Sequence, residues 1–154
     1  MSVTLRPADD AEVAAYLAHA RDHYVSERIR AGDEPEVAAR NADQSFSRAF
    51  PDGRPVPPNL VFSVQRDGRS VGVLWLGPQG PRTPDRWWVW DIVIDEAFRG
   101  QGVGRETMLL AEEESRARGA IELGLNVFAH NEVAAGLYRS LGYEVTAMQM
   151  RKLF

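Results

Sequence analysis

Arg99-Gly100-Gln101-Gly102-Val103-Gly104 carries three glycines at alternate positions. Glycine lets a chain curl tightly and approach a ligand without a Cβ in the way. The residues before this stretch, Trp87–Ile94, are aromatic and β-branched and read as a strand. Those after it, from about Gly102 to Arg118, read as a helix that Gly119 closes. The first N–H groups of such a helix lack intrahelical partners and carry partial positive charge. A pyrophosphate suits that place, and so does a turn that is purely structural. A Rossmann fingerprint needs G-x-G-x-x-G at the start of a βαβ unit and an acid about twenty residues on. Here the third glycine comes one residue early and little chain follows. No Gly-Lys-Ser/Thr follows either, which excludes a P-loop.

Asp91 interrupts the apolar run of Trp90, Ile92, Val93 and Ile94. Desolvation there raises a carboxyl toward neutrality, as a proton acceptor requires. A buried carboxylate paired with an arginine or a backbone N–H is the alternative. Strict alternation places Asp91 on one face with Trp87, Val89 and Val93, away from Trp88 and Trp90. Glu122, in the next predicted strand, is a second carboxylate of interest. His19, His23 and Glu27 are spaced along one helical face, where they line a pocket or form a solvated polar face. They lack a clear further ligand and the HExxH pattern, so no metal is expected. Asp33, Glu34 and Glu36 attract a cation or complement a helix dipole.

The elements that must position these residues follow from the pattern. Val3–Arg6 is a short strand, and Asp9 and Asp10 offer N-caps for a helix running to about Arg30. A second helix begins at Asp33-Glu34-Pro35 and ends before Pro51. Residues 51–58, with four prolines and a glycine, form a loop. Leu60–Gln65 and Val71–Leu76 are strands joined by a tight turn at Asp67-Gly68. Gly77–Pro84 reads as a second Pro/Gly loop. After the Gly102–Arg118 helix come a strand at Ile121–Val127, a helix opened by His130 or Asn131 and closed by Gly142, and a last strand at Tyr143–Lys152. The order β-α-α-β-β-β-α-β-α-β predicts one mixed α/β domain over residues 1–154.

Composition narrows the function. The net charge is -4 and no Lys/Arg-rich run occurs, which argues against nucleic acid as partner. There is no cysteine, so disulfides, thiolate metal sites and a Cys nucleophile are excluded. No apolar stretch approaches the ~20 residues of a membrane helix, and the expectation is a cytoplasmic protein without a membrane partner.

Arg99-x-x-Gly102-x-Gly104 resembles the R/Q-x-x-G-x-G/A signature of the GNAT superfamily of N-acetyltransferases. Asp91–Phe98 resembles that family's fourth strand and its lead into the pyrophosphate loop, with Glu96 where the family often has proline. Asn131-x-x-Ala134-x-x-Leu137-Tyr138-x-x-Leu141-Gly142-Tyr143 resembles the family's N-x-x-A-x-x-L-Y-x-x-x-G-F/Y segment. The resemblance covers about residues 87–145.

It implies a mostly antiparallel sheet whose fourth and fifth strands splay apart around the pantetheine arm of acetyl-CoA. Backbone groups of Ile92, Val93 and Ile94 would pair with pantetheine. The Arg99, Gly100, Gln101, Gly102, Val103, Gly104 and Arg105 segment would hold the pyrophosphate. Asn131 would bond the cofactor or simply cap its helix, and Arg139 would reach the phosphates. Tyr138 would protonate the departing thiolate, or serve only as a core aromatic. The implied reaction is direct attack by a neutral amine of a small molecule or peptide, with Asp91 as first candidate for the base. His23 and Glu27 would line the acceptor side, and a homodimer is expected. The rival reading is a non-catalytic acyl-CoA-binding sensor or regulatory module of the same fold.

Overall fold

The computed structural model describes residues 2–154. Strand β1, Val3–Pro7, leads into helices α1, Asp10–Arg30, and α2, Pro35–Ala49. Strands β2, Leu60–Arg66, β3, Arg69–Gly80, and β4, Thr83–Ile94, follow. A short 3-10 turn at Glu96–Phe98 precedes helix α3, Val103–Ala117, then strand β5, Glu122–Leu125, and helix α4, Glu132–Ser140.

Local chemistry explains the boundaries. The Asp9 carboxylate accepts from the Glu12 N–H at 2.8 Å, and Glu12 accepts from the Asp9 N–H at 3.0 Å. This reciprocal box starts α1. Pro35 fills the first turn of α2, where its missing N–H costs nothing. Asp67 and Gly68 turn β2 into β3 with φ of 53° and 75°, the paired positive values that suit a tight hairpin.

The sheet order is β1-β2-β3-β4-β5, with every neighbouring pair antiparallel except the parallel β4–β5 pair. Each face is covered. On one, Leu74, Leu76, Trp87 and Val89 pack with Val103, Met108 and Ala111 of α3, and Tyr138 and Leu141 of α4 join them. On the other, Val61 and Trp75 pack with Val13, Tyr16 and Ala20 of α1 and with Ala49 and Phe50 at the end of α2. The fold class matches the sequence reading.

Two segments differ. Gly77–Pro84 is not a loop: β3 and β4 extend through it, with Gly77 opposite Trp88, Pro78 opposite Trp87 and Gly80 opposite Thr83. The tryptophans provide cross-strand packing that outweighs the local turn preference, and an irregularity between Pro78 and Gly80 absorbs the misfit. The expected last strand, Tyr143–Lys152, is absent, and residues 143–154 have no regular structure. Alternation gives a segment the capacity for a strand, but its N–H and C=O groups still need a ladder. The chain is drawn elsewhere at both ends of the segment. The Tyr143 hydroxyl donates to Glu112 of α3 at 3.2 Å, and Arg151 reaches the Gly32 carbonyl in the α1–α2 turn. Among the described residues, no helix is long and apolar enough to cross a membrane.

Candidate active site

β4 and β5 pair only from Arg86 opposite Glu122 to Val89 opposite Leu125. Beyond that point β4 continues to Ile94 while β5 ends, so the two strands open into a gap. Trp88 lies across the β5 backbone at Gly124, where an added Cβ would come within 2.5 Å of its ring. The Asp95 N–H donates to the Val71 carbonyl at 2.9 Å, which puts the pair 71/95 in the β3 ladder. Antiparallel bonding alternates. Val93 therefore faces β3, and the backbone groups of Ile92 and Ile94 face the gap. The Ile94 carbonyl accepts from Arg99 Nε at 2.9 Å.

A β-bulge decides where Asp91 points. Asp91 stands opposite Trp75 and Val89 opposite Leu76, so Trp90 is the extra residue. The bulge breaks the alternation assumed from sequence. Trp87 and Val89 face α3, whereas Asp91 and Val93 face α1 and α2. Asp91 thus shares its face with Trp75 and Trp90, whose rings lie 5.9 Å apart, and not with Trp87 and Val89. The Tyr16 hydroxyl of α1 donates to Asp91 Oδ2 at 2.6 Å. Burial pushes the Asp91 carboxyl up, and the Tyr16 bond, the nearby His23 charge and the Ile92 N–H partly offset it. The net direction is upward.

The glycine turn lies at the far end of β4. Gly100 and Gly102 adopt φ of 71° and 83°, a region that penalises any Cβ. Gly102 is the N-cap of α3, and no side chain caps that end. A Cβ built at Gly100 or Gly102 would meet nothing within 4 Å, so the space above the turn is open. Polar side chains brace the turn from below. Gln101 donates to the Ala97 carbonyl and accepts from Arg66, each at 2.8 Å, and Arg105 donates to Ser140 of α4. Uncapped amides, left-handed glycines and open space fit a pyrophosphate. The gap-facing groups of β4 fit an extended chain carrying amides.

Tyr138 of α4 lies on the α3 side of the sheet. It packs on that core and meets the Tyr143 ring edge-on at 6.0 Å. Burial raises its phenol, and the Asp91 charge adds to this. Asp91 and Tyr138 therefore sense each other although they belong to opposite faces of the sheet. Asn131 caps α4, its Oδ1 accepting from the Ala134 N–H at 3.3 Å, and Arg139 is exposed. On α1, His23 is exposed but close enough to Asp91 to favour its charged form. Glu27 is held: its Oε2 lies 2.6 Å from His130 Nε2. His19 is exposed.

Sequence reasoning missed Tyr16 and His130. Tyr16 sits in the apolar stripe of α1 with Val13 and Ala20, a pattern that by itself marks core. The signal was its hydroxyl, because a buried phenol needs a partner. Nothing local marks His130 as the partner of Glu27.

Known proteins resemble the chain over its length. The model of the acetyltransferase (GNAT) family matches residues 19–143. The uncharacterized Bacillus subtilis N-acetyltransferases YycN and YdgE are 29% and 30% identical, each over 99% of this chain and over 99% and 98% of their own lengths. The crystal structure of YycN superposes with a TM-score of 0.87 over 99% of both chains. The N-alpha-acetyltransferase RimI of Mycobacterium tuberculosis is 33% identical over 62% of this chain and 58% of its own. The chain belongs to the GNAT family of acetyltransferases.

Proposed function

We propose that the chain transfers an acetyl group from acetyl-CoA to a primary amine of a small molecule or peptide, by direct attack of the amine. The observation that carries this reading is the place of Asp91 beyond the end of the β4–β5 pairing, near enough to Tyr138 for its charge to raise that phenol, on the strand that leads to an uncapped helix terminus.

Acetyl-CoA supplies the thioester carbonyl that the amine attacks. The amides of the Gln101–Arg105 segment hold the pyrophosphate, with Arg99 fixing the turn to β4 and the exposed Arg139 reaching for the phosphates. Gap-facing groups of Ile92 and Ile94 hold the pantetheine amides, and Asn131 borders the other side. Asp91 accepts the proton that an alkylammonium must lose before its nitrogen has a lone pair. As the new N–C bond forms, the C–S bond breaks and Tyr138 gives its proton to the leaving sulfur. The acylated nitrogen loses its second proton through solvent to the Tyr138 phenolate, which restores the phenol, and Asp91 releases the proton it took to bulk water. A raised carboxyl suits the first step and a neutral phenol the second. His23 and Glu27 border the acceptor side of the gap. The exposed Met148, Met150, Leu153 and Phe154 support self-association as a homodimer.

The name of RimI supports peptide N-termini as one acceptor class. The test is release of free thiol from acetyl-CoA with a panel of polyamines, arylalkylamines and peptide N-termini. Turnover with one class is expected, and Asp91→Asn should lower it by about 100-fold. CoA binding without thiol release for any amine would contradict transfer and favour a non-catalytic acyl-CoA-binding module.

A further inference from the structure

We infer that Tyr16 is a positioning residue for the base: its hydroxyl fixes the orientation of the Asp91 carboxylate and favours the charged form. The inference rests on Asp91 as the base, but the geometry that carries it is independent of the acceptor. Tyr16 is 8% exposed and packed among Val13, Ala20, Phe50 and Trp75, so its ring has one orientation. Its single polar atom is spent on Asp91 Oδ2 at 2.6 Å. An ionised acceptor makes such a bond short and strong.

Few groups compete for Asp91. From α1 only Tyr16 and His23 face it, from α4 Tyr138, and from β3 the uncharged Trp75 stands opposite. Burial, then the Asp91 charge, then the bond itself keep the Tyr16 phenol far above its ordinary range. Tyr16 is therefore a donor at every working pH and never a second base. It counteracts desolvation, which alone would push the Asp91 carboxyl further up. The bulge at Trp90 makes the arrangement possible, because without it Asp91 would turn toward α3 and away from Tyr16.

Tyr16→Phe keeps the ring and removes the bond. Carbon-13 titration of the aspartate carboxyls reads the result, with Asp91→Asn identifying the signal. The Asp91 midpoint should rise by about one pH unit in Tyr16→Phe, since a bond to a charged group is lost. The acid limb of the acetyl-transfer profile should move by the same amount, with KM for acetyl-CoA unchanged. An unmoved midpoint in folded Tyr16→Phe would overturn the positioning role alone. Normal turnover by Asp91→Asn would overturn the base reading and the positioning role with it. Should Tyr16→Phe not fold, the wild type still decides. The Tyr16 ring carbon bearing the hydroxyl, identified by substituting Tyr24, Tyr138 and Tyr143 in turn, should shift at the Asp91 midpoint. A signal flat through that midpoint would overturn the inference.

Discussion

Glu27 and His130 lie 103 positions apart in the chain, yet their side chains meet at 2.6 Å. The contact ties the last turns of α1 to the segment between β5 and α4. The His130 ring stacks on Phe128 with centroids 5.5 Å apart, and Arg28 stands over Phe128 at 5.7 Å. Both partners keep about a fifth of their side-chain surface exposed, at 21% and 22%, and the hydrogen bond between them is worth about 1 kcal/mol. Glu27→Ala should change the melting temperature little and raise KM for the amine several-fold. Steady-state kinetics beside a thermal melt checks both.

Gly102 and Gly104 differ although both belong to the motif. Gly102 has φ 83° with open space around it, so Gly102→Ala costs backbone strain of about 1–2 kcal/mol. Gly104 lies inside α3, and a Cβ there would meet Leu137 at an ordinary 3.5 Å. Gly104→Ala should be neutral or gain up to about 1 kcal/mol from helix propensity. The melting temperature should therefore fall in Gly102→Ala and hold or rise in Gly104→Ala, by about 2–4 °C per kcal/mol for a chain of this size.

Asp91 opposes stability with function. Burial raises its folded pKa above the unfolded value, so between the two values the folded state binds more protons. Stability then falls as pH rises through that window. Asp91→Asn should melt higher than wild type at neutral pH, and the difference should close below the ordinary carboxylate value of about 3.9. Transfer should follow the opposite sign, rising with pH as Asp91 ionises. Melts at several pH values and the rate profile test the two halves separately.

Gly124 lets Trp88 cross β5. Gly124→Ala drives a Cβ into the Trp88 ring and should cost about 1–3 kcal/mol by overpacking. Chemical denaturation measures it.

The readable parts were those fixed by local chemistry. The left-handed glycines, the Asp9 box and the Asp67-Gly68 hairpin follow from a few neighbouring residues each. The order of elements and the two motifs placed the glycine turn and Tyr138 in their elements. Pairing between distant segments was not readable. One extra residue at Trp90 reversed the face of Asp91, and alternation carries no sign of a bulge. Residues 143–152 read like a strand, but whether a ladder receives them depends on where the fold draws them, here to Glu112 and Gly32. Tyr16 and His130 look like core and loop until α1 is laid across the sheet.

The central claim is that the uncapped start of α3 binds the pyrophosphate of coenzyme A. Calorimetric titration of acetyl-CoA and CoA into wild type and Gly102→Val tests it most directly. Binding of both ligands by wild type, with loss in a folded Gly102→Val, is the predicted result. No binding by well-folded wild type, or equal binding by both proteins, would contradict it.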